Sequence, residues 1–105
     1  TEIEVPVREK YSSHIFHQYT VRIKNGLRDD LKKYLEENKI PAMIYYPGPL
    51  HMQEAYMYLG YKESDFPVTN ELCKEVLSLP MHTEMEQDQL DFITQKILNF
   101  FERHQ

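Results

Sequence analysis

The sequence predicts an α+β fold: a small two-layer domain, with about three mainly antiparallel strands and about four helices packed over one face of the sheet. Three observations carry that expectation. One run alternates apolar and polar residues at strand period, several later segments recur at helical period, and the short apolar runs that could be strands are separated from one another by those helical segments.

From His14 to Lys24, Ile15, His17, Tyr19, Val21 and Ile23 share one face, while Gln18, Thr20, Arg22 and Lys24 lie largely on the other, as in a half-buried strand. Asn25-Gly26 breaks the alternation. Leu27, Leu31, Tyr34 and Leu35 then recur at helical spacing, and Asp29 and Asp30 stand in the first turn, where the helix dipole favours negative charge. A first helix over about Leu27 to Glu37 follows, with the charges of Arg28 to Lys33 read as a solvated face. Ile40 to Tyr46, entered through Pro41, suits a second strand whose first residues need not donate to a ladder. Past the next loop, Met52, Ala55, Tyr56 and Leu59 form one apolar stripe, and Gly60 stands where a left-handed cap ends a helix. Asp65 is placed to cap a third helix with Pro67 in its first turn and Val68, Leu72, Cys73 and Val76 on its buried face. Leu77 to Met81 reads as a brief edge strand that Pro80 stops early. Thr83 and Glu86 fit a capping box for a last and longest helix, whose Leu90, Ile93, Ile97, Phe100 and Phe101 recur up to Glu102-Arg103-His104.

At 105 residues and 12.7 kDa, residues 1–105 make one domain with one modest core. A net charge of -5 and a pI near 5.5, with the basic residues scattered, argue against a surface that tracks nucleic-acid phosphates. Cys73 is alone, so no internal disulfide can form, which favours a reducing compartment; as a small apolar residue it is expected to be buried. No apolar run approaches the roughly 20 residues of a membrane helix, and Thr1 to Val5 lack the regions of a signal peptide, so a cytoplasmic protein with no membrane partner is expected. The first residue is not methionine, which fits a boundary inside a longer protein. With so few strands, the far face of the sheet needs a second domain or subunit to cover it.

The chemistry concentrates in Ile44 to His51. Pro47, Gly48 and Pro49 constrain the backbone there, so Tyr45, Tyr46, Leu50 and His51 are presented rather than left mobile. On a strand, Tyr45 and Tyr46 point to opposite sides, so at least one of them faces solvent or a partner. Aromatic faces stack and phenol or imidazole tips give directional hydrogen bonds, the combination that nucleobases and sugars need. His17 has two readings: a core histidine satisfied by hydrogen bonds, or a side chain facing a ligand at an interface. Met52 and Tyr56 read as core. His14 and His17 stand three apart on a strand and cannot share a metal, and no glycine-rich phosphate loop, nucleophile elbow, CxxC pair or HExxH helix is present. A self-contained catalytic site and a metal site are therefore not expected.

Taken in order, His17 to Val21, Arg28 to Leu35, Tyr45-Tyr46-Pro47-Gly48-Pro49-Leu50-His51, Asp65-Phe66-Pro67-Val68 and Leu77-Ser78-Leu79-Pro80-Met81 resemble the C-terminal domain of the DegT/DnrJ/StrS family of sugar aminotransferases. Many family members carry histidine where this chain has Tyr45. The resemblance implies the small domain of a fold-type I, pyridoxal-phosphate-dependent homodimer that moves an amino group, commonly from glutamate, onto a nucleotide-linked keto sugar. It implies a large N-terminal domain, outside these residues, that carries the Schiff-base lysine and the cofactor contacts. This chain would supply no catalytic and no cofactor-binding residue. It would close over the active site and line part of the nucleotide-sugar pocket through Tyr45, Tyr46, Pro47, Leu50 and His51, with His17 at an interface or pocket. Alone it is expected to be inactive and to bind no cofactor. The alternatives are a free-standing regulatory module that binds a small ligand or a protein, and a nonenzymatic sugar-sensing relative.

Overall fold

The computed structural model describes residues 2–104. Its sheet has three antiparallel strands in the order β1 (Ile3–Glu4), β2 (Tyr19–Ile23) and β3 (Val76–Leu79). Three α-helices accompany them, α1 (Arg28–Glu37), α2 (Pro67–Glu75) and α3 (Gln87–His104), and short 3-10 turns fill 50–52, 54–59 and 63–65. The α+β class is as the sequence predicts, and among the described residues no helix is long and apolar enough to cross a membrane.

The central strand has two chemically different faces, and each organises one side of the domain. Val21 and Ile23 point into the core, where Leu31 and Leu35 of α1, Ile40, Ala42, Leu77 of β3, and Ile97, Phe100 and Phe101 of α3 enclose them. Burial of each valine, leucine, isoleucine or phenylalanine among them contributes about 1.5–3 kcal/mol. Thr20, Arg22 and Lys24 alternate to the other side. There Thr20 Oγ1 lies 2.7 Å from Ser78 Oγ, and the two cations meet α2. Arg22 Nε and Lys24 Nζ both donate to Glu75 Oε2, at 2.9 and 3.0 Å, while Arg22 also reaches Glu71 and Glu4. Part of the face expected to need a cover is thus crossed by α2 itself.

Several elements differ from the sequence reading. The first long strand begins only at Tyr19: over 14–18 the chain bends, His14 Nδ1 accepts the Phe16 N–H at 2.8 Å, Phe16 takes a φ of 49°, and Ile15 is 88% exposed. That local bond offers the backbone an alternative to the ladder. Ile40 to Tyr46 is no strand; one bridge, Met43 to Ser78, is all that pairs, because Pro41 and Pro47 lack donors on either side of it. The third strand is instead Ile3–Glu4, too short for its alternation to be read.

Arg28, read as solvated, is only 8% exposed. Its Nη1 donates to the carbonyls of Cys73 and Val76, at 3.0 and 3.2 Å, satisfying acceptors that the end of α2 leaves free. Cys73 is half-buried rather than buried, and Val68 is exposed. Asp65 does not cap α2: its carboxylate accepts the Lys62 N–H at 2.8 Å and closes the preceding 3-10 turn, while Phe66 holds the cap position and Pro67 begins the helix as expected. The box expected at Thr83 and Glu86 does not form; one turn later Gln89 Oε1 accepts the Glu86 N–H at 2.9 Å, a single side-chain bond at the start of α3. The helix expected near Met52 to Leu59 is a pair of 3-10 turns, ended as foreseen by Gly60 at φ 74°. Met52 and Tyr56, read as core, are exposed by more than a third, since a 3-10 turn places its stripe differently from an α-helix.

Burial alone would raise the Glu75 carboxyl, but the hydrogen bonds from Lys24 and Arg22 outweigh it and hold the group below the usual 4.5. A carboxyl depressed in the fold stabilises it fully above the unfolded value, and that contribution is lost as pH falls through the folded value. Thermal unfolding between neutral pH and about pH 3 is therefore expected to show an acid-side loss of stability that Glu75→Gln reduces. An identical acid-side slope in the two proteins contradicts this role for Glu75.

Candidate functional site

The bridge at Met43 fixes the chain just before the aromatic loop, and from there Tyr45, Tyr46 and the two prolines run along the surface. Tyr45 and Tyr46 are not on a strand, so they do not alternate across one. Both are exposed, by 40% and 72%, with their rings 5.7 Å apart and edge to face. At least one was expected to face outward; both do.

The structure divides the expected site residues between two grooves. The first, of about 470 Å³, brings Tyr45 beside His17, with His82, Gln18, Met43 and Ser78 among the other residues of its walls. His17 is thus exposed at a groove wall and not a core residue. The second, of about 360 Å³, takes Leu50 and His51 and adds Tyr56, Leu59, Tyr61, Phe66 and Thr69. Tyr46 and Pro47 line neither groove.

The second groove is the more ordered in its chemistry. The ring centroid of His51 lies 4.7 Å from that of Phe66, Phe66 lies 5.2 Å from Tyr61 at a near-perpendicular angle, and His51 Nε2 stands 3.4 Å from the Glu63 carbonyl. Its walls carry no acid, lysine or arginine. Such a lining offers flat apolar faces with hydroxyl and imidazole tips, and it suits a neutral, ring-bearing ligand better than an ion. In the sequence Phe66 and Pro67 mark a helix start and nothing marks Tyr61, so neither aromatic points to the groove. His82, which joins His17 in the first groove, lies far along the chain with no motif spacing, and the β2–β3 pairing brings it near.

Among the described residues no three metal-ligating side chains cluster. Lys24 and Lys32 are engaged by Glu75 and Glu36, and Lys39, Lys62 and Lys74 line surface grooves that also carry Glu36, Glu63 and Glu71, so these five lysines stand among carboxylates, which disfavour a phosphate beside them.

Residues 1–98 match the model of the DegT/DnrJ/EryC1/StrS aminotransferase family. The chain is 45% identical, over 87% of its length, to a protein of Geobacillus stearothermophilus named a pleiotropic regulatory protein, of which it spans 24%. It is 30% identical, over 90% of its length, to the dTDP-3-amino-3,6-dideoxy-α-D-galactopyranose transaminase of Aneurinibacillus thermoaerophilus, of which it spans 25%. Its fold matches the crystal structure of S. venezuelae DesV in complex with a ketimine intermediate at a TM-score of 0.87 and 27% identity, covering 95% of this chain and 26% of that one. The chain therefore spans about a quarter of the length of the relatives it matches.

Proposed function

Because the chain belongs to the DegT/DnrJ/EryC1/StrS aminotransferase family, we propose that it is the C-terminal domain of a pyridoxal-phosphate-dependent aminotransferase acting on a nucleotide-linked keto sugar, with glutamate as amino donor. The observation that carries this reading is the exposure of the aromatic loop on a domain a quarter the length of its relatives. Tyr45, Tyr46 and Leu50 are exposed and His51 is half-buried against Phe66 at a groove wall, as residues shared with a larger active site would be.

In that enzyme the large domain, preceding residue 1, holds the cofactor, which supplies the electron sink for transfer of the amino group. This chain's part is binding and exclusion of water. Tyr45 and His17 on one groove, and Leu50 and His51 on the other, flank the loop and give a nucleotide sugar apolar faces and hydrogen-bonding tips. Pro47 and Pro49 hold the loop's course, and Tyr46 reaches beyond both grooves toward the large domain or the second subunit of a cytoplasmic homodimer. A second reading, a regulatory or sugar-sensing protein built on the same domain, is favoured by the regulatory name of the Geobacillus relative. The two readings share the binding surface and part at the cofactor lysine of the large domain.

Two outcomes are expected. The isolated 105-residue chain shows no transaminase activity, and titration with pyridoxal phosphate gives no saturable spectral change; a saturable shift traced to one lysine overturns the division of labour between the domains. In the intact protein, where the large domain or the second subunit would cover Tyr46, Tyr46→Ala weakens nucleotide-sugar binding by about 1–3 kcal/mol, the loss of a stacked or hydrogen-bonded ring. Unchanged affinity in a folded variant removes Tyr46 from the site.

A further inference from the structure

The carbonyl of Glu63 serves two side chains at once. Asn70 of α2 donates to it from Nδ2 at 2.6 Å, and His51 Nε2 lies 3.4 Å away. A carbonyl oxygen has two lone pairs and no proton, so it can only accept from both; the contact with His51 requires the proton on Nε2. Which ring nitrogen of a histidine carries the proton is set by the bond the other atom's partner can make, and here the partner is an obligate acceptor.

Asn70 holds that carbonyl at a cost. Its Oδ1 is buried without a hydrogen-bond partner among the described residues, and turning the amide over would set Oδ1 against the carbonyl instead. A buried orphan acceptor destabilises a fold where an apolar side chain of similar size would not. The donor half of the amide is the part this position uses. Phe66 packs against the His51 ring at 4.7 Å between centroids and a tilt of 56°, so His51 is held by an aromatic contact and by one hydrogen bond.

We propose that Asn70 is a positioning residue: by anchoring the Glu63 carbonyl it keeps His51 in the Nε2–H tautomer and leaves Nδ1 as the acceptor that the aromatic groove offers to a ligand. The ligand group this favours is a hydroxyl or N–H donor; an anionic oxygen would meet a lone pair. The inference rests on the reading of His51 as a substrate contact given above.

The test is long-range 1H–15N correlation on the intact protein labelled at its histidine rings, with the His51 signals identified by their disappearance in His51→Gln. The expected result is a dominant Nε2–H signature for His51, lost toward a tautomer mixture in Asn70→Asp and in Asn70→Leu. An Nδ1–H signature in the unaltered protein overturns the proposal, and so does an unchanged tautomer in either folded Asn70 variant. Binding of dTDP-glucose and UDP-glucose separates this from the substrate reading. If the tautomer responds as expected while His51→Gln leaves both affinities unchanged, the positioning by Asn70 stands and the assignment of His51 to the substrate pocket falls.

Discussion

Two cations, one on a short strand and one just past its end, converge on a single carboxylate oxygen, and the arrangement of the domain depends on that convergence. Arg22 of β2 and Lys24 immediately after it alternate with Val21 and Ile23, so the segment that buries the apolar pair under α1 and α3 also directs two positive charges to its other side. Glu75, the last residue of α2, receives both through Oε2. Because α2 passes into β3 without a linker, fixing Glu75 also fixes where β3 begins and which of its residues face β2. Arg28 closes the same corner from α1 by donating to the Cys73 and Val76 carbonyls. Desolvating such charges is costly, and the group is favourable only because each partner is matched. The result is a corner densely cross-linked by charge-assisted bonds at one end of the sheet.

At the other end the chain is looser in its pairing, and the candidate site lies there. Met43 makes a single bridge to Ser78, and from that point the backbone leaves the sheet with two prolines in the next six residues. Proline both removes ladder donors and restricts the path, so the loop departs in a set direction without becoming a strand. That departure separates Tyr45, beside His17, from Leu50 and His51, beside Phe66 and Tyr61. A ligand touching both groups spans the loop, a geometry suited to an extended molecule with two dissimilar ends.

Legibility in the sequence followed the length and regularity of each element. α1 and α3 were readable because Leu31 and Leu35, and Ile97, Phe100 and Phe101, repeat over several turns and reach the core as expected. The pair Ile3–Glu4 gave no pattern to read, and the alternation through His14 to Gln18 is real in the sequence but defeated by a local bond to the His14 ring. Arg28 looked like any charged residue near a helix start; only the end of α2, 45 residues later in the chain, makes it buried. The loop carrying Tyr45 to His51 was legible as an exposed aromatic segment because its residue types are unusual together. Its division into two grooves was not, since Phe66, Tyr61 and His82 are brought to it by folding.

Whether these residues are one part of a larger cofactor-dependent enzyme is read most directly from the intact mass and visible absorption spectrum of the native gene product. A chain several times larger than 12.7 kDa that carries the absorption of bound pyridoxal phosphate is expected. A colourless product of 12.7 kDa would contradict that expectation and leave a binding module, and a large colourless one would favour the sensing protein.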